Sequence, residues 1–183
     1  MIRRVCVFCG SSAGRDGSYV QIAKEVGQEL LRRDLGLVYG GGNIGLMGIL
    51  AETVLRGGGS VIGVIPQFMV EKELARTDLT ALHVVGSMHE RKALMAELSD
   101  AFLALPGGLG TLEEFCEIVT WKQLGLHKKP CGLLNAHGYY DGLLRLLTHQ
   151  EQEGFVSATT RALIMEAAHP AVLLDRMLQL GSQ

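Results

Sequence analysis

Short apolar runs rich in β-branched residues alternate along this chain with longer stretches in which apolar residues recur every three or four positions. The first kind reads as buried strand, the second as amphipathic helix. Ile2 to Phe8 is the first such strand, and a helical pattern follows from about Ser18 to Arg33. Gly36 to Tyr39 predicts a second strand with a helix running to about Arg56, and Ser60 to Ile65 a third. Leu82 to Val85 then leads to a helix over Met88 to Ser99, and Ala101 to Leu105 to a helix over Thr111 to Leu124 that carries Phe115, Ile118, Val119 and Leu124 inward. Cys131 to Leu134 is another short strand, followed by helical patterns over Tyr139 to Glu153 and Pro170 to Leu180. Such alternation calls for an α/β fold, a Rossmann-like, doubly wound parallel sheet with helices on both faces. With 183 residues and 48% hydrophobic content, residues 1–183 suit a single domain around one core.

Pro66 to Thr80 breaks the rhythm. It is irregular and charged, with Glu71, Lys72, Glu73, Arg76 and Asp78, and reads as a loop with a short helical piece. Two readings fit it, a cover over a cleft and a solvated connection.

Glycines gather where strands end. Gly10-Ser11-Ser12 follows the first strand, Gly40-Gly41-Gly42-Asn43-Ile44-Gly45 the second, and Pro106-Gly107-Gly108-Leu109-Gly110-Thr111 the run Ala101 to Leu105. Ligands of such sheets bind beyond the carboxyl ends of the strands, so these loops are expected to line one edge together. Glycine lets a backbone approach a ligand closely, and the free amides of a following helix grip an anion, for which phosphate is the natural candidate. The second loop matches G-x-G-x-x-G, but no acidic residue ends the next strand to hold a ribose hydroxyl, which argues against NAD.

Two side chains stand out. Thr111 and Glu114 have the spacing of a capping box, which would put Glu114 at the positive end of a helix and keep it ionised. That role is structural, catalytic or both. Arg91 shares the stripe Met88, Arg91, Met95, Leu98 near the start of its own helix, where burial and the helix dipole both disfavour a cation. Either a bound anion or fixed carboxylate offsets that cost, with Lys92 sharing the anion, or Arg91 snorkels to the surface. Ser87 and Glu90 make a second possible capping box.

The totals narrow the field. A net charge of −2 without a concentrated basic surface argues against polymeric nucleic acid. No apolar run approaches the roughly 20 residues that cross a bilayer. Cys6, Cys9, Cys116 and Cys131 lie in or beside apolar runs, and the N-terminus carries no signal-peptide pattern, which suggests a reducing cytoplasm. Cys6 and Cys9 form C-x-x-C on a strand, where buried thiols are expected instead of a redox pair or a zinc site. The six histidines show no ligand spacing, so no metal is predicted.

On these residues the chain resembles the LOG family of cytokinin-activating phosphoribohydrolases, whose members are often mislabelled as lysine decarboxylases. Its motif P-G-G-x-G-T-x-x-E stands unbroken from Pro106 to Glu114, and its Arg-Lys pair is Arg91-Lys92 within Met88-His89-Glu90-Arg91-Lys92. Phe8 to Ser12, Tyr39 to Gly42 and Gly132 to Asn135 match its other recurring segments. The resemblance implies hydrolysis of the N-glycosidic bond of a nucleoside 5′-monophosphate, as in AMP nucleosidase or cytokinin activation, with Glu114 and Arg91 as the catalytic pair. It places Glu73, Lys92, Gly108, Leu109, Gly110, Thr111 and Thr120 at the nucleotide, beside the loop residues Gly10, Ser11, Gly41 and Gly42. It implies no cofactor and a homodimer. A lysine decarboxylase would need pyridoxal phosphate on a Schiff-base lysine, for which neither motif offers a setting. Leu109 stands where the family often has Tyr. A nucleotide-binding or carrier protein of the same fold, without turnover, is the alternative.

Overall fold

The computed structural model describes residues 1–15, 17–72 and 74–180. Seven parallel strands form one sheet: β1 (Arg4–Phe8), β2 (Gly36–Tyr39), β3 (Val61–Pro66), β4 (Ala81–Val85), β5 (Ala101–Ala104), β6 (Cys131–Leu134) and β7 (Ile164–Ala167). The helices between and after them are α1 (Ser18–Arg32), α2 (Gly45–Arg56), α3 (Gln67–Val70), α4 (Met88–Leu98), α5 (Leu109–Gln123), α6 (Asp141–Gln152), α7 (Ala158–Arg161) and α8 (Pro170–Leu180). In the sheet the order is β4-β3-β2-β1-β5-β6-β7. The chain therefore winds one way from β1 to β4, then returns to place β5 on the other side of β1. That reversal, between β1 and β5, opens a crevice at the carboxyl edge.

Continuous apolar runs serve as strands in the middle of the sheet because β1, β2, β3, β5 and β6 are covered on both faces. Val5, Val7 and Cys9 point toward Ile22, Val26 and Leu30 of α1, Leu50 and Val54 of α2, and Leu173, Leu174 and Met177 of α8. Cys6 and Phe8, the alternate residues of the same strand, join Met95 of α4, Phe115, Ile118 and Val119 of α5, and Tyr140 on the other face. Three of the four thiols are buried, and burial pushes all three up, that of Cys131 to about 12, so they remain protonated and unreactive.

Several expectations need correction. The sequence gives no sign of β7 or α7. All four residues of β7 are only partly buried, because this is an edge strand, and its Ile-Met-Glu-Ala run lacks strand character. Leu124 caps the end of α5 and is 68% exposed, not inward. Helix α5 starts three residues earlier than the Thr111–Glu114 spacing suggests, with Gly108 as its N-cap and no side-chain cap, so that capping box does not form. At α4 the Ser87 hydroxyl does accept the Glu90 amide at 3.1 Å, while the Glu90 carboxylate accepts from the Gly86 amide instead of closing on Ser87.

Within Pro66 to Thr80, residues Leu74 to Arg76 are tied to the loop after β2. Gly42 and Ala75 form an antiparallel bridge, Asn43 N–H donates to the Leu74 carbonyl at 3.0 Å, and Arg76 N–H donates to that of Gly41 at 2.9 Å. The Arg76 guanidinium clamps the segment down, donating to both Asp78 carboxylate oxygens and pairing with Glu52 of α2. No helix among the described residues is long and apolar enough to cross a membrane.

Candidate active site

Three loops meet at the crevice and are stitched to one another by their own backbones. Gly10 N–H donates to the Pro106 carbonyl at 3.1 Å, and the Gly10 carbonyl accepts from Leu46 N–H at 3.0 Å. Between them lies an open pocket of about 260 Å³, lined by Gly10, Ser11, Ser12, Tyr19, Gly107, Gly108 and Tyr139 among others.

The glycines in these loops serve different ends. A Cβ on Gly107 would stand 2.1 Å from Thr111 Oγ1 and 2.8 Å from Gly10 N, so the fold itself requires glycine there. Gly45, at φ +57, would place its Cβ 2.3 Å from the Ser11 carbonyl carbon. Nothing lies within 4 Å of a Cβ built on Gly108 or Gly110. Open space above these two is what a ligand gripped by the helix end would occupy. The first ladder bond of α5 runs from Leu112 N–H to the Gly108 carbonyl at 3.2 Å, leaving the amides of Leu109, Gly110 and Thr111 directed out of the helix end. Thr111 is buried under Gly107, while the Leu109 side chain is 86% exposed at the rim.

Gly110 yields an expected result in which stability and activity move in opposite directions. Gly110→Ala lies in the first turn of α5 in open space, so the fold should gain up to about 1 kcal/mol. The added methyl stands over the amides that would hold a phosphate, and KM for a nucleotide should rise by about tenfold, equivalent to ~1.4 kcal/mol. Thermal melts and steady-state kinetics on the same preparation check both halves.

Arg91 is 6% exposed and does not snorkel. It lies in the first turn of α4 and spans the carboxyl ends of two strands: Nη2 donates to the Gly40 carbonyl at 2.8 Å and Nε to the Val64 carbonyl at 3.1 Å. A Cβ on Gly40 would lie 1.8 Å from Nη2, so glycine at position 40 makes the room that the guanidinium fills. Nη1 stands 3.9 Å from Glu114 Oε1. The fixed carboxylate anticipated for Arg91 is therefore Glu114, supplied by α5.

The Glu114 side chain is 12% exposed. Burial pushes its carboxyl above the ordinary carboxylate value, Arg91 and Lys92 pull it back, and Glu113 and Glu117 add to the push. The helix-end argument for a firmly ionised Glu114 thus fails in its cause: with α5 starting at Leu109, Glu114 stands beyond the first turn, and its ionisation depends on Arg91.

Other expected residues are placed elsewhere. Lys92 does not share an anion with Arg91, because its ammonium is paired with Glu113 and, at 2.9 Å, with Glu117. Gly41 and Gly42 are buried against Ile65 and the Leu74–Arg76 segment instead of lining the pocket. Thr120 is exposed on α5, donates to the Cys116 carbonyl at 2.7 Å, and borders an apolar groove between α5 and α6. Glu73 lies outside the described residues. Gly10, Ser11 and Gly108 line the pocket, with Leu109, Gly110 and Thr111 beside it.

Two residues escaped sequence reasoning. Tyr139 OH donates to the Gly107 carbonyl at 2.6 Å and Tyr140 OH to that of Leu105 at 2.5 Å, so the two tyrosines hold the β5 loop from beneath and beside the pocket. Their signal was positional, since Gly138-Tyr139-Tyr140 follows β6 at the same sheet edge. Among the described residues no three His, Cys, Asp or Glu side chains gather as a metal site.

A switch-point pocket, a glycine-framed helix end and a buried arginine–carboxylate pair on α4 and α5, outside the residues that line the pocket, define an α/β protein of the nucleotide-binding, Rossmann-like class. Residues 47–177 match the family model described as "Possible lysine decarboxylase". Over 175 residues the chain is 50% identical to cytokinin riboside 5′-monophosphate phosphoribohydrolase LOG1 of Arabidopsis thaliana, covering 96% of this chain and 82% of that protein. LOG3 of the same plant, a phosphoribohydrolase of the same description, is 50% identical over 175 residues, with 96% and 81% covered. The chain belongs to this LOG family. Among solved structures, the molybdenum cofactor carrier protein of Chlamydomonas reinhardtii shares the fold with a TM-score of 0.72 at 20% identity, covering 100% of both chains.

Proposed function

We propose that this protein hydrolyses the N-glycosidic bond of adenosine 5′-monophosphates, N6-substituted or plain, to the free base and ribose 5-phosphate. The observation that carries the reading is the buried Arg91–Glu114 pair, 3.9 Å apart, beside the open amino end of α5. In this reading the amides of Leu109, Gly110 and Thr111, with Gly10 and Ser11 opposite, hold the 5′-phosphate and so fix the sugar. As the bond from C1′ to the base nitrogen breaks, its electron pair leaves with the base and positive charge develops on the ribosyl ring. The Glu114 carboxylate stabilises that charge or takes a proton from the attacking water, whose oxygen bonds to C1′. The departing base takes up one proton, so water is the only co-reactant. Arg91 keeps Glu114 ionised and orients it.

Incubation with AMP and with N6-isopentenyl-AMP, followed by chromatography of free base, tests the reading. Base release that is lost in Glu114→Gln supports it. Tight nucleotide binding without any base release would make the protein a carrier.

The reading includes a homodimer in a reducing cytoplasm. Its support is the four free thiols and the exposed Leu109, Leu124 and Leu126 on and after α5, apolar side chains that a second copy would cover. Sedimentation equilibrium should give twice the 19.8 kDa chain mass, and a mass of 19.8 kDa at assay concentration would contradict the dimer.

A further inference from the structure

Helices α4 and α5 meet through a small ladder of charges. On one rung Arg91 faces Glu114, and on the next Lys92 holds Glu113 and Glu117. Glu113 and Glu117 are four apart and share a stripe of α5, where like charges repel, and Glu114 sits immediately beside them. Lys92 is 7% exposed, so its ammonium is committed to these partners within the protein. We infer that Lys92 is a positioning residue, which pins Glu113 and Glu117 so that Glu114 faces Arg91 and which screens Glu114 from the two carboxylates beside it. This rests on the proposed role of an ionised Glu114 in ribosyl transfer to water.

Among the described residues, few charged and titratable groups act on Glu114. From α4 come Arg91 and Lys92, from α5 come Glu113 and Glu117, and from β1 and the residue after it come the Cys6 and Cys9 thiols, which burial keeps protonated. Burial raises the Glu114 carboxyl and Arg91 lowers it most strongly, and within the trio Glu113 and Glu117 raise it while Lys92 lowers it, so the trio's net charge of −1, two carboxylates and one ammonium, shifts how easily Glu114 ionises. Lys92 itself is pushed down by burial but held above its ordinary value by Glu113 and Glu117, and so remains a cation across the working range.

A charge series tests this. Lys92→Met makes the trio −2, and the acid limb of the kcat/KM profile should move up by about half to one pH unit. Lys92→Met/Glu113→Gln/Glu117→Gln makes it neutral and leaves no charge unpaired, and its acid limb should fall below that of the wild type. Lys92→Arg should keep the acid limb in place. Carbon-13 titration of the Glu114 carboxyl should follow the same order without relying on turnover. An acid limb that stays put in the folded Lys92→Met and triple variants would overturn the inference, as would an equal shift in Lys92→Arg. If Lys92→Met does not fold, the triple variant decides. Full activity in Glu114→Gln would instead remove the functional reading itself, whereas an inactive Glu114→Gln with an unmoved limb in the series removes only the role of Lys92.

Discussion

Glu114→Gln is expected to fold, to bind AMP, and to release adenine at least about 100-fold more slowly than the wild type, the scale of one positioned electrostatic or acid–base group. Gln preserves the shape and removes only the charge, and the phosphate contacts reside on the α5 amides, so binding should persist. Stability should move the other way. Because burial raises the Glu114 carboxyl, the folded protein holds this proton more tightly than the unfolded chain does. That contribution is complete below the unfolded pKa, about 4.3, and is lost as pH rises through the folded value. At pH 7 the ionised side chain is therefore a net cost to folding, and Glu114→Gln should melt at a higher temperature than the wild type, with the gain fading toward pH 4. Melting curves at pH 7 and pH 4 beside turnover at pH 7 check the two effects. A variant that is more stable and inactive marks a carboxylate kept for chemistry.

Arg91→Ala should lose activity on a similar scale, about 10²-fold or more, and should lose stability as well. The guanidinium is the donor to the Gly40 and Val64 carbonyls, and a buried carbonyl stripped of its donor costs about 1–3 kcal/mol. Removing the cation also leaves Glu114 buried without the charge that keeps it ionised, so the variant's residual activity should need a higher pH. Arg91→Lys restores the charge but not the planar set of donors that reaches Gly40, Val64 and Glu114 at once, and it should remain well below wild type. Chemical denaturation of both variants, with kcat/KM as a function of pH, separates the structural loss from the catalytic one.

How far the chain could be read without coordinates depends on the reach of each interaction. Strands buried on both faces announce themselves locally, which is why β1 and β2 lay where the apolar runs put them, and glycines at strand ends mark the edge where ligands bind. The Arg91 anomaly was also local, an arginine on an apolar stripe, and the structure supplies the carboxylate that resolves it. Other features depended on distant partners. Gly40 is glycine because of an arginine 51 residues away, and Lys92 finds Glu113 at a separation of 21. Thr111 and Glu114 fit a capping pattern, but Thr111 is needed beneath Gly107, and the helix starts earlier to put it there. Edge strand β7 was missed because its Ile-Met-Glu-Ala run holds a single β-branched residue, whereas the other edge strand, β4, carries Val84 and Val85 and was legible.

The most direct test of the account is product stoichiometry from AMP and N6-isopentenyl-AMP in phosphate-free buffer containing chelator. The buried Arg91–Glu114 pair and the α5 amides should suffice for water to cleave the bond, giving free base and ribose 5-phosphate in equal amounts, with release from Glu114→Gln at least about 100-fold slower. Nucleotide recovered intact after prolonged incubation with folded wild-type protein, or base released only when inorganic phosphate is added, would contradict it.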